Sequence, residues 1–141
     1  MDLRQPHLDY RRGRSCVFLL HVHLVFITKR RRGVLDAAAI RRLRSIFVAV
    51  CADFSAVLVE MDGEADHVHL LVNYPPKVAI SRLVGSLKGV SSRRLRQERP
   101  NLAQGTALRH NLWSPSYFAG TCGGAPLAIV KQYIEQQQTP P

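Results

Sequence analysis

An alternating stretch at residues 66–72 limits the possible folds more than any other part of the sequence. Polar and apolar side chains alternate through it, and two consecutive prolines follow shortly after. This alternation is typical of a β-strand with one face in a core. Side chains two apart share a face, so His67 and His69 are predicted to project one way and Val68 and Leu70 the other. Two imidazoles on one face could bind a single metal ion, but a third ligand must come from elsewhere in the chain.

The rest of the chain predicts a β-α-β-β-α-β-α order. The predicted strands are 16–28, 56–61, 66–72 and 112–118, and the predicted helices are 37–54, 79–96 and 126–138. Asp36 is a suitable N-cap for the first helix, a turn is expected at residues 62–64, and Pro115 should place the last strand at a sheet edge or a bulge. We expect Trp113 in the core. The fold class is therefore α+β, a ferredoxin-like antiparallel sheet with an added C-terminal helix.

Charge and length narrow the class of protein further. With 141 residues the chain has the size of one domain, which we divide into a basic N-terminal arm at residues 1–15 and a single domain at 16–141. The net charge is +10, and 16 of the 20 basic residues are arginine. Arginine suits phosphate recognition, so this balance favours a nucleic-acid partner.

Cysteines and apolar runs indicate the compartment. The three cysteines, Cys16, Cys51 and Cys122, are far apart and form no CxxC pair, so we expect reduced thiols. The longest apolar run, at residues 16–27, is too short to span a bilayer and contains two histidines. No signal peptide is evident. We expect a soluble, cytoplasmic protein with no membrane partner.

The last predicted helix carries a second pair of polar residues. Tyr133 and Gln137 are four apart, so they lie on one helical face. The Gln137 amide oxygen could complete a site with the two strand histidines, and such mixed ligands with open positions suit Mg²⁺ or Mn²⁺ acting on a phosphate. Tyr133 beside that cation would gain nucleophilicity. The alternative is a tyrosine capping a core edge and a solvated glutamine. A second HxH pair, His21 and His23, is expected to be mainly structural or DNA-facing.

Five segments together resemble one family. Residues 66–72 resemble the HUH motif (histidine, bulky hydrophobic residue, histidine), and residues 133–137 resemble the Tyr-Ile-x-x-Gln motif of the single-tyrosine HUH transposases. Residues 23–31, 86–93 and 112–118 resemble three further family segments: a first strand with its Lys-x-Arg exit, a Leu-Lys-Gly-x-Ser-Ser helix and a Trp-x-Pro-Ser-Tyr strand. The chain departs from the family pattern at Ala65 and Arg30, and lacks the usual polar cap before the last helix.

The resemblance implies a function and a set of roles. These enzymes move hairpin-ended bacterial insertion sequences as single-stranded DNA. The resemblance implies that His67, His69 and Gln137 bind the metal. It also implies that Tyr133 attacks a phosphodiester to form a 5′-phosphotyrosine link and a free 3′-OH. It also implies a homodimer in which the last helix of one subunit serves the histidines of the other. Three glycines before that helix, Gly120, Gly123 and Gly124, would supply a joint. The DNA-backbone candidates are Lys29, Arg31, Lys88 and Arg93.

Three other functions fit parts of the pattern. A domesticated relative would act on dispersed palindromic repeats with the same chemistry. A non-catalytic hairpin-binding or regulatory protein would bind DNA without cutting it. A metal-dependent hydrolase would use water as the nucleophile and form no covalent adduct.

Overall fold

The computed structural model describes residues 10–102 and 110–121. The strands are β1 (Arg11–Gly13), β2 (Cys16–Phe18), β3 (His21–Thr28), β4 (Val57–Glu64), β5 (His67–Asn73) and β6 (Trp113–Thr121); the helices are α1 (Ala37–Asp53) and α2 (Ile80–Glu98), with short 3-10 turns at Lys29–Arg31 and Pro100–Leu102. The predicted C-terminal helix, with Tyr133 and Gln137, lies outside the described residues, as do Gly123 and Gly124 of the predicted joint.

Four strands form an antiparallel sheet in the order β4-β5-β3-β6. The chain therefore has a mixed α+β fold with two described helices and a four-stranded antiparallel sheet, as the pattern predicted. The central strand β3 is buried along its whole length, and β5 is buried at five of its seven residues, as expected for strands covered on both sides. Strand β6 lies at an edge, so the prediction made from Pro115 is confirmed.

Both helices contribute to a core with one face of the sheet. Alternate residues of β3 and β5, among them Leu24, Phe26 and Leu70, are fully buried in one cluster with Phe47 of α1 and Leu87 of α2. Trp113 is also in this cluster, as predicted. Burial of so many large apolar side chains is the main stabilising contribution to the fold.

Polar contacts define where α1 begins and how it meets α2. The Asp36 carboxylate accepts a hydrogen bond of 2.8 Å from the Ala39 amide, which confirms the predicted N-cap. Its second oxygen accepts from Arg99, just beyond α2, and Arg42 pairs with Glu98 at 2.8 Å. The Arg99 guanidinium, with the cap bond, holds the pKa of Asp36 below its ordinary value. These exposed ion pairs contribute little stability, but they fix the ends of the two helices beside each other.

The N-terminal region differs from the prediction of one strand over residues 16–28. Strand β2 ends at Phe18 and β3 begins at His21, and β2 pairs with β1 in a separate hairpin. Ser15 adopts φ 63° in the turn between them. The Arg11 guanidinium lies over the Phe18 ring and donates to Asn73 Oδ1 and the Ser55 carbonyl. Part of the segment predicted as an arm is thus anchored to the sheet.

The turn before β5 also differs from the prediction. Strand β4 continues through residues 62–64 to Glu64, and the chain reverses at Ala65 and Asp66. The prediction was wrong because glycine and acidic residues are common in turns, whereas here Gly63 pairs with Val68 inside the ladder. As a result, Asp62 and Glu64 are strand residues paired with β5.

Two smaller predictions concern thiols and membranes. Cys16 and Cys51 are free thiols, as expected, and Cys122 lies outside the described residues. Neither helix in the described part of the chain has the combination of length and apolar character that a membrane span requires.

Candidate metal centre

The two histidines of β5 lie on the sheet face opposite the helices. Val68, Leu70 and Val72 belong to the core cluster, so the strand pleat directs His67 and His69 the other way, as the alternation predicted. Their ring centroids are 5.0 Å apart and the rings are almost perpendicular, at 87°. Both residues are partly exposed, although only 12% of the His67 side chain is accessible, so neighbouring groups hold the imidazoles in position.

Strand β4 brings carboxylates to the same face. Directly paired residues of neighbouring strands share a face, and the register pairs Asp62 with His69 and Glu64 with His67. Ligand atoms of Glu64, Asp66 and His67 all lie within 4.8 Å of one another. Sequence reasoning missed these carboxylates because it placed a turn there. The alternation of acidic residues at 60, 62 and 64 was the available signal.

His67 has a close partner in the preceding residue. Its Nδ1 lies 2.7 Å from Asp66 Oδ1, the short distance expected for a hydrogen bond to a carboxylate. A metal-binding imidazole usually donates a hydrogen bond to a carboxylate in this way, from the ring N–H that does not face the metal.

His69 has its partner on the neighbouring strand. His23 Nε2 lies 3.4 Å from His69 Nδ1, and only 1% of the His23 residue surface is exposed. Burial, with a smaller contribution from His69, lowers the pKa of His23 to about 4. Burial also lowers the pKa of His69; His67 lowers it further, while Asp62 and Glu64 oppose the shift. Neutral imidazoles are the form that binds metals.

The first HxH pair is buried in β3. His21 is 3% exposed and its Nε2 lies 3.5 Å from Asn73 Nδ2. The structural part of the expectation for His21 and His23 agrees with this burial. The contact of His23 with His69 was not predicted, because the sequence alone does not give the register between β3 and β5.

An aromatic ring from β6 covers His23. The Phe118 ring centroid lies 5.2 Å from that of His23, and Gly120 is the register partner of His23. A Cβ atom at Gly120 would be only 3.0 Å from Phe118 Cζ, so glycine leaves room for the ring. Gly120 was predicted to begin a flexible joint; it lies instead within β6, and the room it leaves for Phe118 gives it a packing role.

A basic turn lies at the His67 end of the sheet. It follows β3 directly, and Ile27, near the end of β3, pairs with His67. The Thr28 amide donates to the Asp66 carbonyl at 2.9 Å, and the Thr28 hydroxyl donates to the Arg32 carbonyl at 2.7 Å. Within the turn Arg31 adopts φ 54° and its side chain is exposed. Two predicted DNA contacts, Lys29 and Arg31, are therefore near the histidines along the sheet.

The other two DNA-backbone candidates lie on α2. Lys88 Nζ donates to the Ser114 carbonyl at 2.7 Å and contacts two further carbonyls of β6. Burial lowers the pKa of Lys88. These contacts give Lys88 a structural role between α2 and β6, whereas Arg93 is exposed. DNA binding by each of the four candidates stays a prediction.

The described donor set fits a divalent cation. Imidazole nitrogens and carboxylate oxygens close together on one sheet face are ligands for Mn²⁺ and, through the oxygens, for Mg²⁺. The expected third ligand, Gln137, and the expected nucleophile, Tyr133, lie outside the described residues, so their position beside His67 and His69 stays a prediction.

Comparison with known proteins places this arrangement in context. The family model described as "Transposase IS200 like" matches residues 16–137. The chain is 35% identical over 130 residues to the ISDra2 transposase TnpA of Deinococcus radiodurans, covering 92% of each protein. It is 32% identical over 115 residues to the transposase for insertion sequence element IS200 of Salmonella typhimurium, covering 82% of this chain and 74% of that protein.

Two solved structures are similar to the fold. The crystal structure of a transposase from Deinococcus radiodurans R1 has a TM-score of 0.73 and 35% identity, with 92% of this chain and 99% of that chain covered. A REP-associated tyrosine transposase bound to a REP hairpin has a TM-score of 0.59 at 14% identity, covering 96% of this chain and 68% of that chain. The second likeness concerns the fold alone.

Proposed function

The chain belongs to the IS200-like family of single-tyrosine HUH transposases, and from this we propose that it cuts and rejoins single-stranded DNA at hairpin ends through a 5′-phosphotyrosine intermediate. One observation carries the proposal: His67 and His69 share a sheet face with carboxylates beside them, in a chain whose residues 16–137 match the family.

His67 and His69 would bind the metal, with Gln137 as the third ligand. When bound, Mg²⁺ or Mn²⁺ supplies positive charge that neutralises the scissile phosphate and stabilises the leaving 3′ oxygen. The burial that lowers the pKa of His69 keeps this imidazole neutral and able to bind.

Tyr133 would be the nucleophile. Its phenolate oxygen attacks the phosphorus, a new bond forms between tyrosine and the 5′ phosphate, and the bond to the 3′ oxygen breaks; that oxygen leaves as a 3′-OH after taking up a proton. A later 3′-OH attacks the phosphotyrosine and restores a phosphodiester, releasing the phenol. One phosphodiester replaces another in each step, so neither ATP nor water is consumed.

The proposed assembly is a homodimer. A ferredoxin-like sheet would carry the histidines, and an added C-terminal helix, exchanged between subunits, would carry Tyr133 and Gln137. Residues 16–141 would form the single catalytic domain, with a basic arm before it. The DNA backbone would contact basic side chains at the His67 end of the sheet and on α2. A net charge of +10 supports such a partner.

Covalent trapping tests the proposal. The protein is incubated with labelled single-stranded hairpin DNA and Mg²⁺ or Mn²⁺, and the products are separated in SDS. We expect a protein–DNA adduct that survives SDS and is absent in Tyr133→Phe, which should still bind the hairpin. Tyr10→Phe is the matched control, because Tyr10 is an exposed tyrosine and the next residue, Arg11, contacts Asn73 at the end of β5 opposite His67.

The alternatives give different products. Cleaved DNA without an adduct would indicate a hydrolase, and binding without cleavage would indicate a non-catalytic or regulatory hairpin-binding protein. A domesticated relative would form the same adduct, but preferentially with hairpins from repeated palindromes.

A further inference from the structure

We infer that His23 and Asp66 are positioning residues that set the tautomer of the two metal-binding histidines. In this arrangement His67 and His69 each carry their proton on Nδ1 and present Nε2 to the metal. The inference rests on the proposed function, because it describes how this chain prepares the same site.

The contact with Asp66 fixes the tautomer of His67. Its Nδ1 lies 2.7 Å from Asp66 Oδ1, and an ionised carboxylate can only accept a hydrogen bond. The proton of a neutral His67 is therefore on Nδ1, and the lone pair is on Nε2. A metal could not reach Nδ1 without displacing the carboxylate.

The evidence for His69 lies in the geometry of two rings. Its Nδ1 and His23 Nε2 are 3.4 Å apart, the ring planes differ by 21°, and the ring centroids are 5.6 Å apart. That centroid separation is close to the largest that two imidazoles can have at this nitrogen–nitrogen distance. The rings therefore meet edge to edge, with the two nitrogens pointing at each other, rather than face to face.

This geometry favours a hydrogen bond over a shared ion. A metal bound by both nitrogens would need lone pairs that converge at an angle, whereas these point head-on. One of the two nitrogens must then carry the proton. If His69 Nδ1 donates its proton to His23 Nε2, the lone pair of His69 Nε2 is available to the metal, as it is for His67 Nε2. Donation in the opposite direction would place the proton of His69 on Nε2 and block metal binding there.

Packing holds His23 in this position. It is 1% exposed, the Phe118 ring covers it, and Gly120 leaves room for that ring. A buried partner cannot exchange its hydrogen bond for one with water, so the orientation of His69 is fixed before metal arrives. Removing such partners of metal ligands typically costs 10–100-fold in metal affinity.

The test measures tautomers in the metal-free protein and Mn²⁺ affinity separately. Long-range ¹H–¹⁵N NMR of histidine-labelled protein should show the Nδ1–H form for both His67 and His69. His23→Leu should shift His69 toward the Nε2–H form, and Asp66→Ala should do the same for His67. Each should weaken Mn²⁺ binding, followed by electron paramagnetic resonance, by about 10–100-fold.

Conservative variants and a control separate positioning from folding. His23→Gln places an amide oxygen near the lost Nε2 and Asp66→Asn keeps an acceptor, so both should retain the Nδ1–H form and most of the Mn²⁺ affinity. His21→Leu removes another buried histidine from β3 and should leave the His69 tautomer unchanged.

The possible results distinguish this inference from the proposed function. An Nε2–H form of His69 in the unmodified protein, or unchanged tautomer and affinity in folded His23→Leu, would overturn the inference. Should His23→Leu not fold, the unmodified protein and His23→Gln still decide it. Nδ1–H forms in a protein that binds no Mn²⁺ would support the positioning but count against the proposed metal function.

Discussion

The indole nitrogen of Trp113 donates a hydrogen bond of 2.9 Å to Ser91 Oγ inside the core. The neighbouring Ser92 Oγ accepts from the Leu112 amide, also at 2.9 Å, and Lys88 binds carbonyl oxygens of β6. The helix segment that resembles the family's Leu-Lys-Gly-x-Ser-Ser motif thus fixes the edge strand β6. Because β6 also carries Phe118, which packs on His23, this attachment supports the candidate metal centre from a distance.

Ser91→Ala should destabilise the protein. The Trp113 N–H would remain buried without its acceptor, and leaving such a donor unsatisfied costs about 1–3 kcal/mol. Urea denaturation measures the free energy of unfolding. Ser81→Ala, an exposed serine on the same helix, should change it by less than about 0.5 kcal/mol. Equal decreases in the free energy of unfolding for Ser91→Ala and Ser81→Ala would contradict the role assigned to Ser91.

The metal-free protein should lose stability as the pH falls from about 6.5 to about 4. Burial lowers the pKa of His23 to about 4 in the folded state, against the ordinary value of 6.5 that applies to the unfolded chain, so the unfolded chain binds more protons in this window. The free energy of unfolding therefore rises with pH there, with a slope from His23 of at most about 1.4 kcal/mol per pH unit.

Denaturation curves at several pH values measure this slope. His23→Gln should flatten it, whereas replacing an exposed histidine with His110→Gln should leave it close to that of the unmodified protein. A slope that survives His23→Gln unchanged would show that other groups cause the acid sensitivity, His69 being the first of them.

His67→Ala should abolish metal-dependent stabilisation while preserving the fold. Mn²⁺ at 100 times its dissociation constant should raise the stability of the unmodified protein by about 2.7 kcal/mol, and the variant should show no such increase. Its own stability should fall by less than about 1 kcal/mol, because His67 is not part of the core cluster and its partner Asp66 is exposed enough to bind water instead. Thermal unfolding with and without Mn²⁺ measures both effects, with His110→Ala as the control. Unfolding of His67→Ala without metal would argue for a structural role instead.

Arg31→Ala should weaken the binding of single-stranded hairpin DNA and reduce the slope of log affinity against log salt by about 1. Arg31 is exposed in the basic turn at the His67 end of the sheet. Arg41→Ala removes an exposed arginine of α1, on the helix-bearing side, and should have a smaller effect. Fluorescence anisotropy at several salt concentrations compares them. A larger loss of DNA affinity for Arg41→Ala than for Arg31→Ala would indicate that the DNA binds on the helix-bearing side of the sheet.

Local sequence patterns were enough to predict much of the sheet. Alternation over residues 66–72 gave the faces of β5, Asp36 marked the start of α1, and Pro115 identified an edge strand, because each depends on a few neighbouring residues. The family resemblance was likewise visible in short segments and is confirmed by the match over residues 16–137. The end of β4 was predicted wrongly, since glycine and acidic residues occur in both strands and turns. The break between β2 and β3 was missed because it falls at Leu19 and Leu20, two apolar residues that give no turn signal.

The sequence by itself determined that His67 and His69 share a face, because the pleat of a strand fixes the direction of alternate side chains whatever they pack against. Only the tertiary structure decided which groups surround them. The register of β3 and β4 against β5 places His23 diagonally across from His69 and Glu64 directly opposite His67, and that register depends on how the helices and sheet pack together. Contacts between residues more than forty positions apart, such as His23 and His69, are set by this packing and not by any local pattern.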